Sequence, residues 1–133
     1  FGAKIGKNVV IRPSVKITYP WKLTLGDYAW VGDDAVLYTL GEITIGANSV
    51  VSQKCYLCTG SHDFMSQHFD ITASPVVIGE KCWLATDVFV APGVSVGDGT
   101  VVGARSSVFK SLPANKICRG NPAVVIRERV ETE

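Results

Sequence analysis

The two histidines of the chain, His62 and His68, are its most direct candidates for acid–base chemistry. A neutral imidazole has an ordinary pKa of about 6.5, so it can accept a proton from an alcohol at physiological pH as the hydroxyl oxygen attacks an electrophile. His62 ends the segment Thr59-Gly60-Ser61-His62, where a strand gives way to a loop, and a strand end holds a side chain better than a loop tip. Taken without relatives, His62 is either a general base or a surface loop histidine.

The four cysteines are Cys55, Cys58, Cys82 and Cys118. Cys55 and Cys58 match the C-x-x-C spacing, but no second pair has the spacing of a zinc site and no strand-then-helix pattern accompanies a thioredoxin-like motif. We therefore expect no metal site, and free thiols that act as small buried hydrophobes in a reducing compartment. This predicts a cytoplasmic protein.

Composition argues against two further classes of protein. The 13 basic and 12 acidic residues leave a net charge of +1, too balanced for a protein whose affinity comes from many phosphate contacts, so no nucleic acid is expected. No apolar run approaches the roughly 18 residues of a membrane span, and Phe1-Gly2-Ala3-Lys4 lacks the form of a secretory signal. A mean hydropathy of +0.23 excludes wholesale disorder.

The elements that must position these residues follow from an internal repeat of six residues. One position of the repeat is always Ile, Leu or Val, and it recurs at Ile5, Ile11, Ile17, Leu25, Val31, Leu37, Ile45, Val51, Leu57, Ile78, Leu84, Val90, Val96, Val102 and Val108. The next position is glycine in seven repeats, which we interpret as the mark of a turn. An apolar period of six drifts around a helix, so each repeat predicts a short strand and a turn.

Three such repeats make one triangular coil of eighteen residues, with the first position pointing into the prism and the fifth filling a corner. Strands of successive coils then stack about 4.8 Å apart. Two spacings of eight, Ile17 to Leu25 and Leu37 to Ile45, predict small surface bulges at the same place in successive coils. The interval from Leu57 to Ile78 predicts a loop that leaves the prism and contains both histidines; long loops in repeat proteins are usually functional.

This pattern resembles the hexapeptide-repeat acyltransferases, from Ile5 to Arg129, and most of all the colanic-acid-biosynthesis-type and galactoside-type sugar O-acetyltransferases. The resemblance implies an all-β, left-handed parallel β-helix. It also implies a single domain over residues 1–133, with a protruding loop at about 61–77 and a short C-terminal cap at about 111–133, where Val124 to Val130 forms a helix or a strand. The handedness comes from the resemblance alone, since the general preference for right-handed parallel crossovers predicts the opposite hand.

The resemblance also assigns candidate residues for the reaction and the acceptor. His62 matches the catalytic histidine that precedes the protruding loop in these relatives, whereas His68 does not. Asp34 stands where galactoside-type relatives carry an asparagine that helps to bind the acceptor, although it equally suits a turn. Trp83 matches a tryptophan near the active-site entrance and should project outward.

For the cofactor, acetyl-CoA, the resemblance points to the later coils. Thr86 matches a polar position near the pantetheine arm, and Ala104 and Lys110 align with segments whose backbone and lysine contact CoA. Lys110 and Arg127 are the cations expected to meet its phosphates. Relatives form homotrimers and hold acetyl-CoA in the groove between adjacent prisms, so we expect the same assembly.

The implied reaction is direct transfer: His62 removes a proton from an acceptor hydroxyl, whose oxygen attacks the thioester, while backbone N–H groups hold the oxyanion. A carboxylate or a carbonyl must fix the tautomer of the imidazole, and both Asp63 and a backbone carbonyl stay open for that role. The leading hypothesis is an O-acetyltransferase that acts on a sugar or an exopolysaccharide precursor.

Two alternatives to this function stay open: a xenobiotic acetyltransferase that acts on an antibiotic hydroxyl, and a non-catalytic β-helix scaffold. The second alternative, in its ice-binding form, requires a flat ladder of Thr residues, which the sequence lacks. A γ-class carbonic anhydrase needs three histidine ligands for zinc and the chain has two, which excludes that class.

Overall fold

The computed structural model describes residues 2–130, which wind into stacked triangular coils of short strands. Coils 1 to 3 contain β1 (Lys4–Ile5), β2 (Val10–Ile11), β3 (Lys16–Ile17); β4 (Leu23–Leu25), β5 (Trp30–Val31), β6 (Val36–Tyr38); and β7 (Ile43–Ile45), β8 (Val50–Val51), β9 (Tyr56–Cys58). A hairpin follows, made of β10 (Gly60–His62) and β11 (Ile71–Ala73). Coils 4 and 5 and the C-terminal strands are β12 (Val76–Ile78), β13 (Trp83–Leu84), β14 (Phe89–Val90); β15 (Ser95–Val96), β16 (Val101–Val102), β17 (Ser107–Val108); and β18 (Lys116–Gly120), β19 (Ala123–Glu128).

The strands stack into three sheets, one for each side of the prism. Sheet A has the order β1-β4-β7-β12-β15, sheet B has β2-β5-β8-β13-β16-β18-β19, and sheet C has β3-β6-β9-β14-β17. The stacking is parallel and in register, for example Leu25 beside Ile45 in sheet A and Leu37 beside Leu57 in sheet C. The all-β parallel β-helix of hexapeptide repeats is therefore confirmed.

The first residue of each repeat points into the prism and forms the core. From coil 2 onward no more than 2% of these side chains is exposed: Leu25, Val31, Leu37, Ile45, Val51, Leu57, Ile78, Leu84, Val90, Val96, Val102 and Val108. The equivalent Ile5 is 45% exposed, because coil 1 has a neighbouring coil on one side only. Small side chains at the fifth position, such as Ala29, Cys55 and Thr100, fill the corners and are fully buried.

The glycines at the second position serve contact between coils. A Cβ atom on Gly26 would lie 2.5 Å from the backbone nitrogen of Ala47 in the next coil, a distance that the stacked backbones do not allow. Left-handed backbone occurs instead at the fourth position, where Asp34 and Lys54 have φ of 61° and 63°. The prediction that second-position glycine marks the turn is confirmed, since the N–H of Ala29 donates to the carbonyl of Gly26 at 3.2 Å; the left-handed residue of the turn lies two positions after the glycine.

All insertions into the repeat lie where sheet C turns into sheet A, at residues 18–22, 39–42 and 59–75, which we call the C/A edge. The first contains a short 3-10 helix, Pro20–Lys22, and the third forms the antiparallel hairpin β10–β11. Val76 and Val77, which the spacing assigns to the protruding loop, already lie in β12. The turns between sheets B and C, at residues 12–15, 32–35, 52–55, 85–88 and 103–106, keep the regular length and form the B/C edge.

After coil 5 the chain begins a sixth turn. Leu112 bridges to Val96 of sheet A, and β18 continues sheet B with Cys118 buried. The antiparallel strand β19 then closes this end of sheet B, so the predicted terminal helix or strand is a strand. Among residues 2–130, no helix has the length and apolar character needed to cross a membrane.

Candidate active site

His62 is the last residue of β10, where this strand of the hairpin gives way to the loop at residues 63–70. In the hairpin it pairs with Ile71, and Gly60 pairs with Ala73, so two strands fix the backbone that carries the imidazole. The side chain is exposed. The break in the repeat thus places this histidine on regular structure next to the prism.

One hydrogen bond orients the imidazole. Nδ1 of His62 lies 2.8 Å from the carbonyl oxygen of Phe69. A neutral imidazole makes this bond by donating from Nδ1, which leaves the lone pair of Nε2 free to accept a proton. Asp63 is occupied elsewhere, since its Oδ1 accepts from the backbone N–H of Met65 at 2.9 Å. Of the two orienting groups that the sequence leaves open, the structure selects the backbone carbonyl.

Beside His62 is a small depression of about 110 Å³. Its lining is Tyr38, Leu40, Gly60, Ser61, His62 and Ile71. Gly60 forms part of this lining, and a Cβ atom there would lie 2.5 Å from Cδ1 of Leu40 and 2.8 Å from Cε2 of Tyr38, so a larger residue would require these side chains to shift. The depression is smaller than the roughly 300–1,000 Å³ of ordinary ligand sites, so one chain alone offers room for only part of a substrate.

Two buried threonines fasten the C/A edge beneath the hairpin. Thr59 Oγ1 donates to the carbonyl of Tyr38 at 2.5 Å and accepts from the N–H of Gly41 at 2.8 Å. One coil earlier, Thr39 Oγ1 donates to the carbonyl of Tyr19 at 3.1 Å and accepts from its N–H at 2.6 Å. The inserted residues are therefore hydrogen-bonded to the coils, which keeps the edge ordered.

An aromatic column on the outer face of sheet C extends from the depression and was missed in the sequence. The rings of Tyr38, Tyr56, Phe89 and Phe109 follow one another with centroid separations of 6.3, 5.9 and 6.0 Å. Such tilted contacts lie within the range of favourable aromatic pairs. The signal was available, because Tyr56 and Phe89 both stand directly before a first-position residue.

Three of the other candidate residues lie on a different edge from His62. Asp34, Thr86 and Ala104 lie in stacked turns of the B/C edge, where Asp34 adopts the left-handed turn conformation. The Oγ1 of Thr86 donates to the carbonyl of Gln53 at 3.1 Å. The B/C edge and the C/A edge lie about 13 Å apart, because the strands of sheet C cross about four residues between them at about 3.3 Å each.

Trp83 and Arg127 lie on sheet B, and Lys110 follows the end of β17. Trp83 projects outward as predicted, with 49% of its surface exposed, and its Nε1–H donates to Oγ of Ser52 at 2.9 Å. Arg127 is exposed on β19 and pairs with Ile117. Lys110 is exposed on the C/A edge, two coils beyond His62, which corresponds to about 10 Å along the axis.

Burial affects three of the four thiols. Burial raises the pKa of Cys55 to about 11 and also raises the pKa of Cys82 and Cys118. The Cys55 side chain points into the prism, whereas Cys58 is half-buried on the outside of sheet C; both are free. In the part of the chain that the structure describes, no three His, Cys, Asp or Glu side chains gather in a way that could hold a metal ion.

Comparison with known proteins agrees with this architecture. The family model for the bacterial transferase hexapeptide (six repeats) matches residues 75–110. A protein of Escherichia coli K12 named as a colanic acid biosynthesis acetyltransferase, WcaF, is 89% identical over 133 residues, which are all of this chain and 73% of that protein.

Two solved structures extend the comparison. A hexapeptide-repeat acetyltransferase of Vibrio cholerae, VCA0836, in complex with acetyl-CoA, has a TM-score of 0.92 at 25% identity, covering 98% of this chain and 73% of its own. A galactoside acetyltransferase in complex with coenzyme A has a TM-score of 0.91 at 27% identity, and the match covers 96% of this chain and 65% of that protein. The sequence match along the full length and the shared β-helix lead to one conclusion: the chain is an acetyltransferase of the hexapeptide-repeat family.

Proposed function

We propose that this protein transfers the acetyl group of acetyl-CoA to a hydroxyl of a sugar in an exopolysaccharide precursor, with His62 as the general base. The observation that carries the proposal is the bond from His62 Nδ1 to the Phe69 carbonyl, which leaves Nε2 unprotonated beside the depression. The name of the 89% identical relative, a colanic acid biosynthesis acetyltransferase, supports the acceptor class.

The reaction proceeds in one transfer. Nε2 of His62 takes the proton of the acceptor hydroxyl as its oxygen attacks the carbonyl carbon of the thioester. The tetrahedral intermediate carries its negative charge on the former carbonyl oxygen, which backbone N–H groups stabilise. When the carbon–sulfur bond breaks, the imidazolium returns the proton to the departing thiolate, so His62 ends the cycle neutral.

The complete site requires a second copy of the chain. His62 and Lys110 lie on the C/A edge, whereas Asp34, Thr86 and Ala104 lie on the B/C edge, across the width of sheet C. A depression of about 110 Å³ on one chain is too small for a sugar and a thioester together. A homotrimer in which the B/C edge of one copy faces the C/A edge of the next copy would bring both sets together.

The aromatic column would form one wall of the groove between copies. It runs from Tyr38 in the depression to Phe109, the residue before Lys110. An extended pantetheine arm with its thioester at His62 and its phosphates at Lys110 would follow this column. Arg127 lies on sheet B, away from the column, so it would meet a phosphate only from an adjacent copy. Free thiols fit the reducing cytoplasm, and that location stays a prediction.

The proposal is tested by an assay of CoA release. The protein is incubated with acetyl-CoA and a panel of sugars, oligosaccharide fragments and antibiotics with free hydroxyls, and the CoA thiol is measured. We expect release that depends on a sugar acceptor and yields an O-acetyl ester detectable by mass spectrometry. Acetylation of an antibiotic with no sugar turnover would favour the xenobiotic function, and release that no acceptor stimulates would refute both.

A further inference from the structure

We infer that Ser66 is a positioning residue for the candidate base, because its hydroxyl holds the peptide group whose carbonyl orients the His62 imidazole. The inference rests on the proposed function, since it adds a supporting residue to the same site. Ser66 lies in the loop at residues 63–70, which joins β10 to β11. It is absent from the lining of the depression at His62, so we place it behind the imidazole and not against a substrate.

The hydroxyl of Ser66 bridges the two sides of this loop. It donates to the carbonyl of Asp63 at 2.9 Å and accepts from the backbone N–H of Asp70 at 2.8 Å. The N–H of Ser66 also donates to the Asp63 carbonyl at 3.1 Å, and the N–H of Asp63 donates to the Asp70 carbonyl at 2.8 Å. Ser66 is half-buried, whereas every other residue from 63 to 70 is exposed. The hydroxyl is therefore the inner contact around which the loop closes.

One peptide group carries both the N–H that bonds to Ser66 and the carbonyl that orients His62. The carbonyl of Phe69 and the N–H of Asp70 share a planar peptide bond and point in opposite directions. On one side the N–H meets Ser66 Oγ, and on the other side the carbonyl oxygen lies 2.8 Å from Nδ1 of His62. Loss of the Ser66 bond would therefore release the same carbonyl that fixes the tautomer of the imidazole.

The hydrogen bonds through this peptide form a chain with one direction. Nδ1 of His62 donates to the Phe69 carbonyl. The N–H of the same peptide donates to Ser66, whose hydroxyl donates in turn to Asp63. Successive bonds in such a chain polarise one another. The Ser66 hydroxyl thus makes the Phe69 carbonyl a better acceptor for the proton on Nδ1, which leaves Nε2 as the basic nitrogen.

The backbone at Phe69 explains why the carbonyl needs this support. Its φ of 50° lies in the left-handed region, which a bulky side chain rarely adopts and which persists only where the surroundings hold it. The N–H of Phe69 donates to the Ser66 carbonyl at 3.4 Å, so the 2.8 Å bond from Asp70 to Ser66 Oγ is the shorter contact in this turn. Without that bond, we expect the peptide to relax and its carbonyl to turn away from His62.

The test uses three variants and a spectroscopic signal. Ser66→Ala removes the hydroxyl, Ser66→Thr retains it, and Ser111→Ala is the matched control. Ser111 is an exposed serine that follows β17, and its Oγ accepts from the N–H of Ser95 at 2.9 Å. This control therefore removes a bond of the same kind at a distance from His62.

Nitrogen NMR of isotope-labelled histidine reports the tautomer, because a ring nitrogen that carries a proton and one that does not differ in chemical shift. Spectra are recorded at about pH 8, where an ordinary imidazole is neutral, with His68 as the internal reference. We expect His62 to carry its proton on Nδ1 in the unaltered protein, in Ser66→Thr and in Ser111→Ala, and to show both tautomers in Ser66→Ala. A proton on Nε2 in the unaltered protein, or an equal change in Ser111→Ala, would overturn the inference.

Kinetics connect the tautomer with acetyl transfer. For Ser66→Ala we expect kcat to fall about fivefold, as for the net effect of one hydrogen bond, with the KM values of acetyl-CoA and of the acceptor unchanged. The double variant His62→Ala/Ser66→Ala should be no slower than His62→Ala, because Ser66 acts through His62. An additional loss in the double variant, or a rise in KM with kcat unchanged, would contradict the positioning role.

The spectra separate this inference from the proposed function. They require no turnover, so they can be interpreted even if no acceptor is acetylated and the proposed function fails. A tautomer that depends on the Ser66 hydroxyl supports the inference in that case too. A tautomer that is the same in Ser66→Ala and in the unaltered protein refutes it, even if acetyl transfer to sugars depends on His62.

Discussion

Complementation between two inactive variants tests whether the active site is shared between copies. His62→Ala removes the proposed base on the C/A edge. Ala104→Trp places a bulky ring on the exposed B/C edge, where the donor is proposed to bind. These two residues belong to edges about 13 Å apart on one chain, and the proposed function brings the two edges together between adjacent copies. Each variant alone should retain about 1% of the activity or less.

The size of the recovery follows from the geometry of a ring. An intact shared site needs the C/A edge of an Ala104→Trp chain and the B/C edge of a His62→Ala chain beside it. In a random one-to-one mixture each requirement is met in half of the positions, so about a quarter of all sites are intact. A site contained within one chain is never restored by mixing, and the activity stays at the level of the parents.

The assay uses chains with two different tags, co-expressed and purified in sequence on both tags, with acetyl transfer measured per chain. Mixed oligomers that carry both tags are enriched in intact sites, so they should reach at least a quarter of the unaltered activity. Purified parents mixed without exchange of subunits are the control. Activity no higher than that of the parents, in oligomers proven to contain both chains, would refute the shared site.

Three further outcomes are expected. His62→Ala should lower kcat by about 10² or more with donor binding nearly unchanged, and His68→Ala should do much less; steady-state kinetics and calorimetry distinguish them. Lys110→Ala and Arg127→Ala should weaken CoA binding by about 1–3 kcal/mol where the assembly desolvates the contact. Substitution of the residue that meets the 3′-phosphate should have no effect on the binding of dephospho-CoA. Unchanged affinity for CoA in both variants would mean that the phosphates bind elsewhere. Burial raises the pKa of Cys55 from 9.0 to about 11, so between these values the unfolded chain loses a proton that the folded chain keeps. The free energy of unfolding should then fall by about 1.4 kcal/mol per pH unit between pH 9 and 11, and less steeply in Cys55→Ala, as measured by denaturant unfolding; equal slopes would contradict this reasoning.

The fold was predictable because each six-residue repeat contains the residues that specify its own strand and turn. A first-position aliphatic residue such as Leu84 specifies burial locally, and stacking of identical units then fixes the sheets without knowledge of distant contacts. The reason for the second-position glycine was not predictable in this way. It depends on the distance from Gly26 to Ala47, and that distance exists only after two coils have stacked.

The position of the candidate base was predictable because it lies where the repeat is interrupted. Its contacts were not predictable, because they depend on how the strands pair. His62 stands out because it lies in the one long excursion. Its orienting group does not, since the Phe69 carbonyl lies seven residues away and reaches Nδ1 only through the pairing of β10 with β11. Asp63 is adjacent in the sequence and yet is used by the turn at Met65. The separation of the other candidate residues onto the B/C edge, the C/A edge and sheet B likewise becomes visible only in the folded prism.

The two edges differ in their regularity, which agrees with the proposed division of acceptor and donor between them. Every departure from the six-residue period between coils 1 and 4 occurs at the C/A edge, where Thr39 and Thr59 bind the inserted backbone without disturbing the sheets. The B/C edge keeps the same length in all five coils. An edge that accepts insertions can change the shape presented to an acceptor while the regular edge continues to hold a constant donor. The hairpin that carries His62 lies on the variable edge, which is where the proposed function puts the acceptor.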